Sequence, residues 1–177
     1  MRNKHNAFDL SGYQATRAAM QADPTIGRGV YESITQWQSG SRTQSCMREF
    51  EVETDEPIAL GGHATSPDPI ELMLAALGAS LTGAWLVEAE LRGVALARVN
   101  VRVVALIDLR GRTGLSPLIR AGVGRIDYSV HVESDAPAEL LEAIRLSAEA
   151  HAPLMDNLRN PTRITGQIVR TRALVAA

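Results

Sequence analysis

The sequence predicts an α+β fold with mostly antiparallel strands, and three observations carry that prediction. A long, capped, apolar helix occupies the middle of the chain, over residues 68–92. Two runs of alternating apolar and polar residues follow it, Arg98 to Leu109 and Val123 to Glu133, and alternation of that period belongs to strands with one buried face. The full order reads helix, two strands, long helix, two strands, helix, strand. Strands that are neighbours in sequence pair antiparallel through short turns.

The first element is a short helix, with Ser11 as N-cap and Gln14 three residues on, as in a capping box. Asp23-Pro24 stops it and Gly27 and Gly29 mark a loop. Val30 to Trp37 is strand-like, Gln38-Ser39-Gly40-Ser41 is a turn, and Gln44 to Thr54 is a second strand forming a hairpin with the first. In that strand Cys46, Arg48, Phe50 and Val52 share one face. Asp68 caps the long helix, Pro69 suits its first position, Glu71 reaches back from the third, and Gly93 ends it. Leu72 to Val87 contains no charge and is apolar or small on every side. Such a helix must be covered all round, and one small domain does not suffice, so a second subunit is expected against it. Beyond the two later strands, Asp135 and Pro137 open an amphipathic helix that turns Leu140, Leu141, Ile144 and Ala148 inward, with Arg145 and Glu149 as an i,i+4 pair. Pro153 interrupts it, a short helical turn follows, and Thr162 to Arg170 is read as a last strand.

Composition narrows the function classes. The chain has 177 residues, of which 45% are hydrophobic and 21% charged, enough for one domain with a real core. Eighteen Lys and Arg against twenty Asp and Glu leave a net charge of -2, and no basic run suggests a nucleic-acid partner. The uncharged stretch from Leu72 to Val87 falls short of a bilayer span and is closed by Glu71 and Glu88, so no membrane segment is expected. The N-terminus lacks a signal-peptide core, and cytoplasm is the expected location. Cys46 is the single cysteine, which excludes an intramolecular disulfide, a CxxC pair and a cysteine-rich zinc site.

Several segments together resemble the OsmC/Ohr-like family. The loop and capped helix entry from Asp55 to Glu71 is similar to the entry of that family's central helix, as is Leu74-Ala-Ala-Leu-Gly-Ala-Ser-Leu-Thr82 and the helix end Leu91-Arg-Gly-Val94. Asp108-Leu-Arg-Gly111 with Gly114-Leu-Ser116, and Ala152-Pro-Leu-Met-Asp156 with Asn160-Pro-Thr162, resemble its later loops. The resemblance implies an OsmC-like domain over residues 30–177, preceded by an N-terminal extension with a short helix over residues 1–29. It also implies an intertwined homodimer, with antiparallel sheets wrapped around long central helices. Better-studied members reduce organic hydroperoxides with a peroxidatic and a resolving cysteine. Those two positions correspond here to Ser80 and Ala152. A serine hydroxyl has neither the thiolate nor the sulfenic acid stage that this chemistry needs, so the resemblance implies the family's place in the oxidative stress response without its thiol peroxidase step.

The other candidates each carry a plain reading beside a functional one. Cys46 is either a relocated nucleophile activated by Arg48 or a small filler of the sheet. Ser80 is either the nucleophile of a triad or a helix-packing residue bonded to a carbonyl one turn back. Arg42, after the hairpin turn, lies near where active relatives carry an arginine, and is otherwise a solvated turn residue. His63, His131 and His151 lack metal-ligand spacing, so neither a metal nor another cofactor is expected. Gly78, Ala79, Ser80 and Ala152 leave volume where two thiols would sit, so Ser80, Arg42, Gly78 and Ala152 are the expected ligand-binding residues. Three functions stand: a non-catalytic homodimer binding a small hydrophobic molecule at its interface, an enzyme using Cys46 or Ser80, and a dimeric scaffold.

Overall fold

Asp9, and not Ser11, starts the first helix of the computed structural model, which describes residues 6–170. Helix α1 runs Leu10–Ala22, with the Asp9 side chain accepting from Gly12 N–H. Phe8, just before that cap, packs edge-on against Tyr13 with ring centroids 5.8 Å apart. This is a hydrophobic staple, and it sets the start of the helix two residues earlier than the expected box at Ser11 and Gln14. The outer ends of the two expected segments, residues 1–5 and 171–177, lie outside the described residues.

The expected hairpin is a three-stranded meander. β1 (Ile34–Ser39), β2 (Arg42–Met47) and β3 (Phe50–Thr54) pair antiparallel in that order. The strand expected from Gln44 to Thr54 is folded back on itself at Arg48 and Glu49, so Cys46 pairs with Glu51 and does not share a face with Arg48. Arg48 takes a left-handed conformation (φ 56°), which turns of this length require and which its residue type does not signal. The strand expected from Val30 begins only at Ile34.

A loop then leads to α2 (Pro69–Leu91), and buried Asp55 organises it. Its carboxylate accepts from Ser41 Oγ (2.6 Å), the amides of Glu56, His63 and Thr65, and Thr65 Oγ1 (2.9 Å). The Ser41 hydroxyl and then the Thr65 amide hold that carboxyl far below the usual range. Gly62 is required in this loop because a Cβ there would stand 1.8 Å from the Glu56 carbonyl oxygen. The capping box at Asp68 and Glu71 forms as the sequence predicts, and Gly93 (φ 68°) follows the helix end.

β4 (Arg98–Leu106) and β5 (Arg125–Glu133) form a two-stranded antiparallel ladder in strict alternation. β4 stops before the expected Leu109, because Asp108 caps a single helical turn, α3 (Leu109–Arg112). α4 (Ala138–His151) and α5 (Pro153–Arg159) complete the layer. The strand expected over Thr162 to Arg170 does not form among the described residues: residues 161–170 are exposed and pair with none of the described strands.

The core follows one face of α2. Leu77 and Leu81 pack with Ala152 and Met155, and farther along Trp85 and Ala89 pack with Val94, Ile144 and Ala148. Fully buried side chains such as Leu77, Leu81 and Ile144 each contribute about 1.5–3 kcal/mol by leaving water. The opposite face of α2, including Ala75, Ala76, Ala79 and Gly83, is exposed in the single chain. By length and composition alone α2 is long and apolar enough to cross a membrane, yet it is the core helix here, packed against β4, α4 and α5.

Candidate functional site

Ser80 faces the start of α5. Its Oγ accepts a hydrogen bond from Leu154 N–H at 3.4 Å. The reason lies in α5 itself: its N-cap, Ala152, has no side-chain acceptor, and Pro153 has no N–H. Ser80 therefore satisfies from α2 an amide that α5 cannot satisfy locally. The expected bond to a carbonyl one turn back belongs to a neighbour, since Thr82 Oγ1 donates to Gly78 O at 2.8 Å. Ala152 itself is buried beside Leu77, Leu81 and Met155, so Ser80 and Ala152 meet where α2 approaches the α4–α5 break.

The position of α5 is held by charge. Arg159 donates to Glu149 at 2.8 Å, tying α5 to α4, while Tyr128 and Arg145 also bond the same carboxylate. Burial pushes the Glu149 carboxyl up, but the Tyr128 hydroxyl and the two arginines outweigh it and leave it lowered.

Beside Ser80 opens a groove of about 470 Å³. Ala79, Gly83, Ala84, Val87 and Leu91 of α2 line it with Pro153, and its polar lining is Tyr13, Arg17, Glu88 and His151. Glu88 is buried: desolvation raises its carboxyl, but bonds from Arg92 and Ser147 and the charges of Arg92 and His151 bring it below the ordinary value. His151 Nδ1 lies 2.8 Å from Ser147 O and 3.4 Å from Glu88 Oε1.

The remaining candidates lie elsewhere. Gly78 lies toward β4, where an added Cβ would meet Val103 at 3.7 Å, and lines a separate hollow with Leu74, Ala75 and Ala79. Arg42 is on the meander, 3.4 Å from Glu53. Cys46 is half-exposed on the same strand, its Sγ 4.0 Å from Glu51 Oε1, while Arg48 stacks on Phe50 instead. His63 serves Asp55 through its backbone amide, and His131 contacts Ser129 on the exposed strand face. Among the described residues no three His, Cys, Asp or Glu side chains gather as metal ligands. Of the expected ligand-binding residues only Ser80 lines the groove: Ala152 is buried in the core beside it, and Gly78 and Arg42, like Cys46, lie outside the lining. Sequence reasoning missed Tyr13, Arg17 and Glu88; the i,i+4 spacing of Tyr13 and Arg17 was the available signal, but α1's docking on α2 is a long-range contact.

The model of the OsmC-like protein family matches residues 62–166, which span α2 through α5 and the residues just beyond. The chain belongs to that family. Solved structures with the OsmC fold agree at low identity. An OsmC-like protein of Mycoplasma pneumoniae superposes with a TM-score of 0.65 at 13% identity, covering 75% of this chain and 89% of that one. An organic hydroperoxide resistance protein OsmC of Legionella pneumophila gives 0.56 at 17%, covering 75% and 92%. A protein of Vibrio cholerae described as an organic hydroperoxide resistance protein, with captopril bound in one of its active sites, gives 0.53 at 19%, covering 76% and 88%. The chain has no match among curated proteins. The shared fold is α+β, with the antiparallel strands and long central helix of the OsmC type.

Proposed function

We propose that this OsmC-like chain is a homodimer that holds a small hydrophobic molecule in the Ser80 groove and is not itself a thiol peroxidase. The observation that carries the reading is the Ser80–Leu154 hydrogen bond beside buried Ala152. By the resemblance Ser80 and Ala152 stand at the family's cysteine positions, and neither bears sulfur. Ser80 Oγ is engaged as an acceptor for a backbone amide, and a serine hydroxyl cannot pass through a sulfenic acid. Cys46, the chain's single thiol, is half-exposed on the meander beside the Glu51 carboxylate and does not line the Ser80 groove.

The dimer reading rests on surface that the chain leaves open. Tyr31, Trp37, Ile164 and Ile168 are exposed, as is the small-residue face of α2. Ala79 and Gly83 belong both to that face and to the groove, so a second copy seated there would close the groove. The captopril of the Vibrio relative supports the view that a groove in this fold admits a small organic molecule.

Cumene hydroperoxide consumption with dithiothreitol, followed beside sedimentation of the same sample, tests both halves. Wild type is expected to consume peroxide no faster than buffer and to sediment as a dimer at micromolar concentration. Wild-type turnover above buffer would defeat the non-peroxidase reading, assigning the chemistry to Cys46 where Cys46→Ser abolishes it and to another residue where it persists, and a stable monomer would defeat the dimer.

A further inference from the structure

The charge around the Ser80 groove is lopsided. Glu88, the one carboxylate in its lining, is already engaged by Arg92 and flanked by His151. Arg17, in contrast, has no ion-pair partner among the described residues, and its guanidinium lies 6.0 Å from the centre of the Tyr13 ring. The lining therefore presents an unspent positive charge at one side of an apolar floor.

The placement of Arg17 is built. Asn6 stitches the start of the described chain to the far end of α2: its N–H donates to Glu90 Oε1 (2.8 Å), its Nδ2 donates to Val94 O (3.1 Å), and its Oδ1 accepts from Leu96 N–H (2.8 Å). The Phe8–Tyr13 staple then fixes the direction of α1, and Tyr13 and Arg17, one turn apart, both come to line the groove. Side chains of α1 are otherwise exposed or half-exposed, so holding this helix in place does little for the core. Its definite effect is to bring an aromatic ring and a guanidinium to Ser80's groove.

We infer that the groove takes an amphipathic monocarboxylate, with its carboxylate on Arg17 and its apolar body along Ala79, Gly83, Val87 and Leu91. The inference rests on the reading that this groove holds a small apolar molecule and adds the charge and orientation of that molecule. A guanidinium matches a carboxylate in a planar, two-point pair. A dianion would meet one unpaired cation and the Glu88 carboxylate nearby, so a single negative charge fits the lining. The volume, about 470 Å³, is that of an ordinary small-ligand site.

Calorimetric titration with decanoate and with decanol tests this. Wild type is expected to bind decanoate about tenfold more tightly than decanol, the worth of one charge-assisted pair. Arg17→Gln removes the preference by lowering decanoate affinity about tenfold, and Arg17→Lys keeps most of it. Arg17 is exposed, so neither change threatens folding. Gly83→Leu, whose added Cβ meets nothing within 4 Å in the chain, fills the floor and abolishes both; because Gly83 also lies on the face assigned to the second copy, the variant is sedimented beside wild type, and the loss counts for the groove where the two sediment alike. Equal affinity for the two probes, or a preference that survives Arg17→Gln, overturns the carboxylate assignment and leaves the groove reading standing. Failure of both probes to bind wild type, or unchanged binding in Gly83→Leu, overturns the groove reading and this inference with it.

Discussion

Replacing Ser80 with alanine isolates what that residue does when it does no chemistry. The change removes the acceptor of the Leu154 amide and little else, because Ser80 and alanine differ by one oxygen. An N-terminal cap is worth about 0.5–2 kcal/mol, and a part-buried amide left without a partner costs about 1–3 kcal/mol. The 3.4 Å distance places this bond toward the weak end, so Ser80→Ala is expected to cost about 1 kcal/mol. For a chain of this length that lowers Tm by about 2–4 °C. The companion variant is Ala152→Ser, which places a hydroxyl at α5's own N-cap, where the extended backbone (φ -86°, ψ 112°) is already that of a cap. On the Ser80→Ala background it restores most of the lost stability; on the wild-type background it adds little, because the amide is already satisfied. Urea unfolding of the four proteins measures the coupling directly, expected at about 1 kcal/mol. A Ser80→Ala variant as stable as wild type, with Ala152→Ser having the same effect in both backgrounds, would refute the capping role.

Acid stability should be set largely by Asp55. Its folded pKa is depressed, so its contribution is fully present above the ordinary carboxylate value near 4 and is lost as pH falls below it. Glu88, Glu149 and Asp108 (held at about 2 by Arg110) act in the same direction. Asp55→Asn should be less stable at pH 7 and should show a shallower loss of stability between about pH 5 and 3 in chemical unfolding; an unchanged acid limb would count against the Asp55 clamp. Asn6→Ala should release the start of α1, seen as faster amide exchange over Leu10–Ala22 with α2 unchanged; exchange over Leu10–Ala22 no faster than in wild type would show that the clamp does not hold α1.

Local chemistry made much of this fold legible. Asp68, Pro69, Glu71 and Gly93 delimit α2 because capping depends on residues within one turn of the helix end. The alternation in β4 and β5, and the inward Leu140, Leu141, Ile144 and Ala148 of α4, are likewise readable because burial repeats with the period of the element. Attention to Ser80 and Ala152 came from the resemblance, in which both stand where relatives carry cysteine. What the sequence could not supply was any feature whose cause lies elsewhere in the chain. The turn at Arg48 is imposed by the pairing of β2 with β3 and not by a turn residue, which is why Cys46 lost its supposed arginine neighbour. The bond from Leu154 to Ser80 spans 74 residues, and the Asn6 clamp spans 84 to 90, so no local window contains either. Residue type determined that no sulfur stands at Ser80 and Ala152; the docking of α1 and α5 onto α2 alone decided which amide, ring and charge surround them.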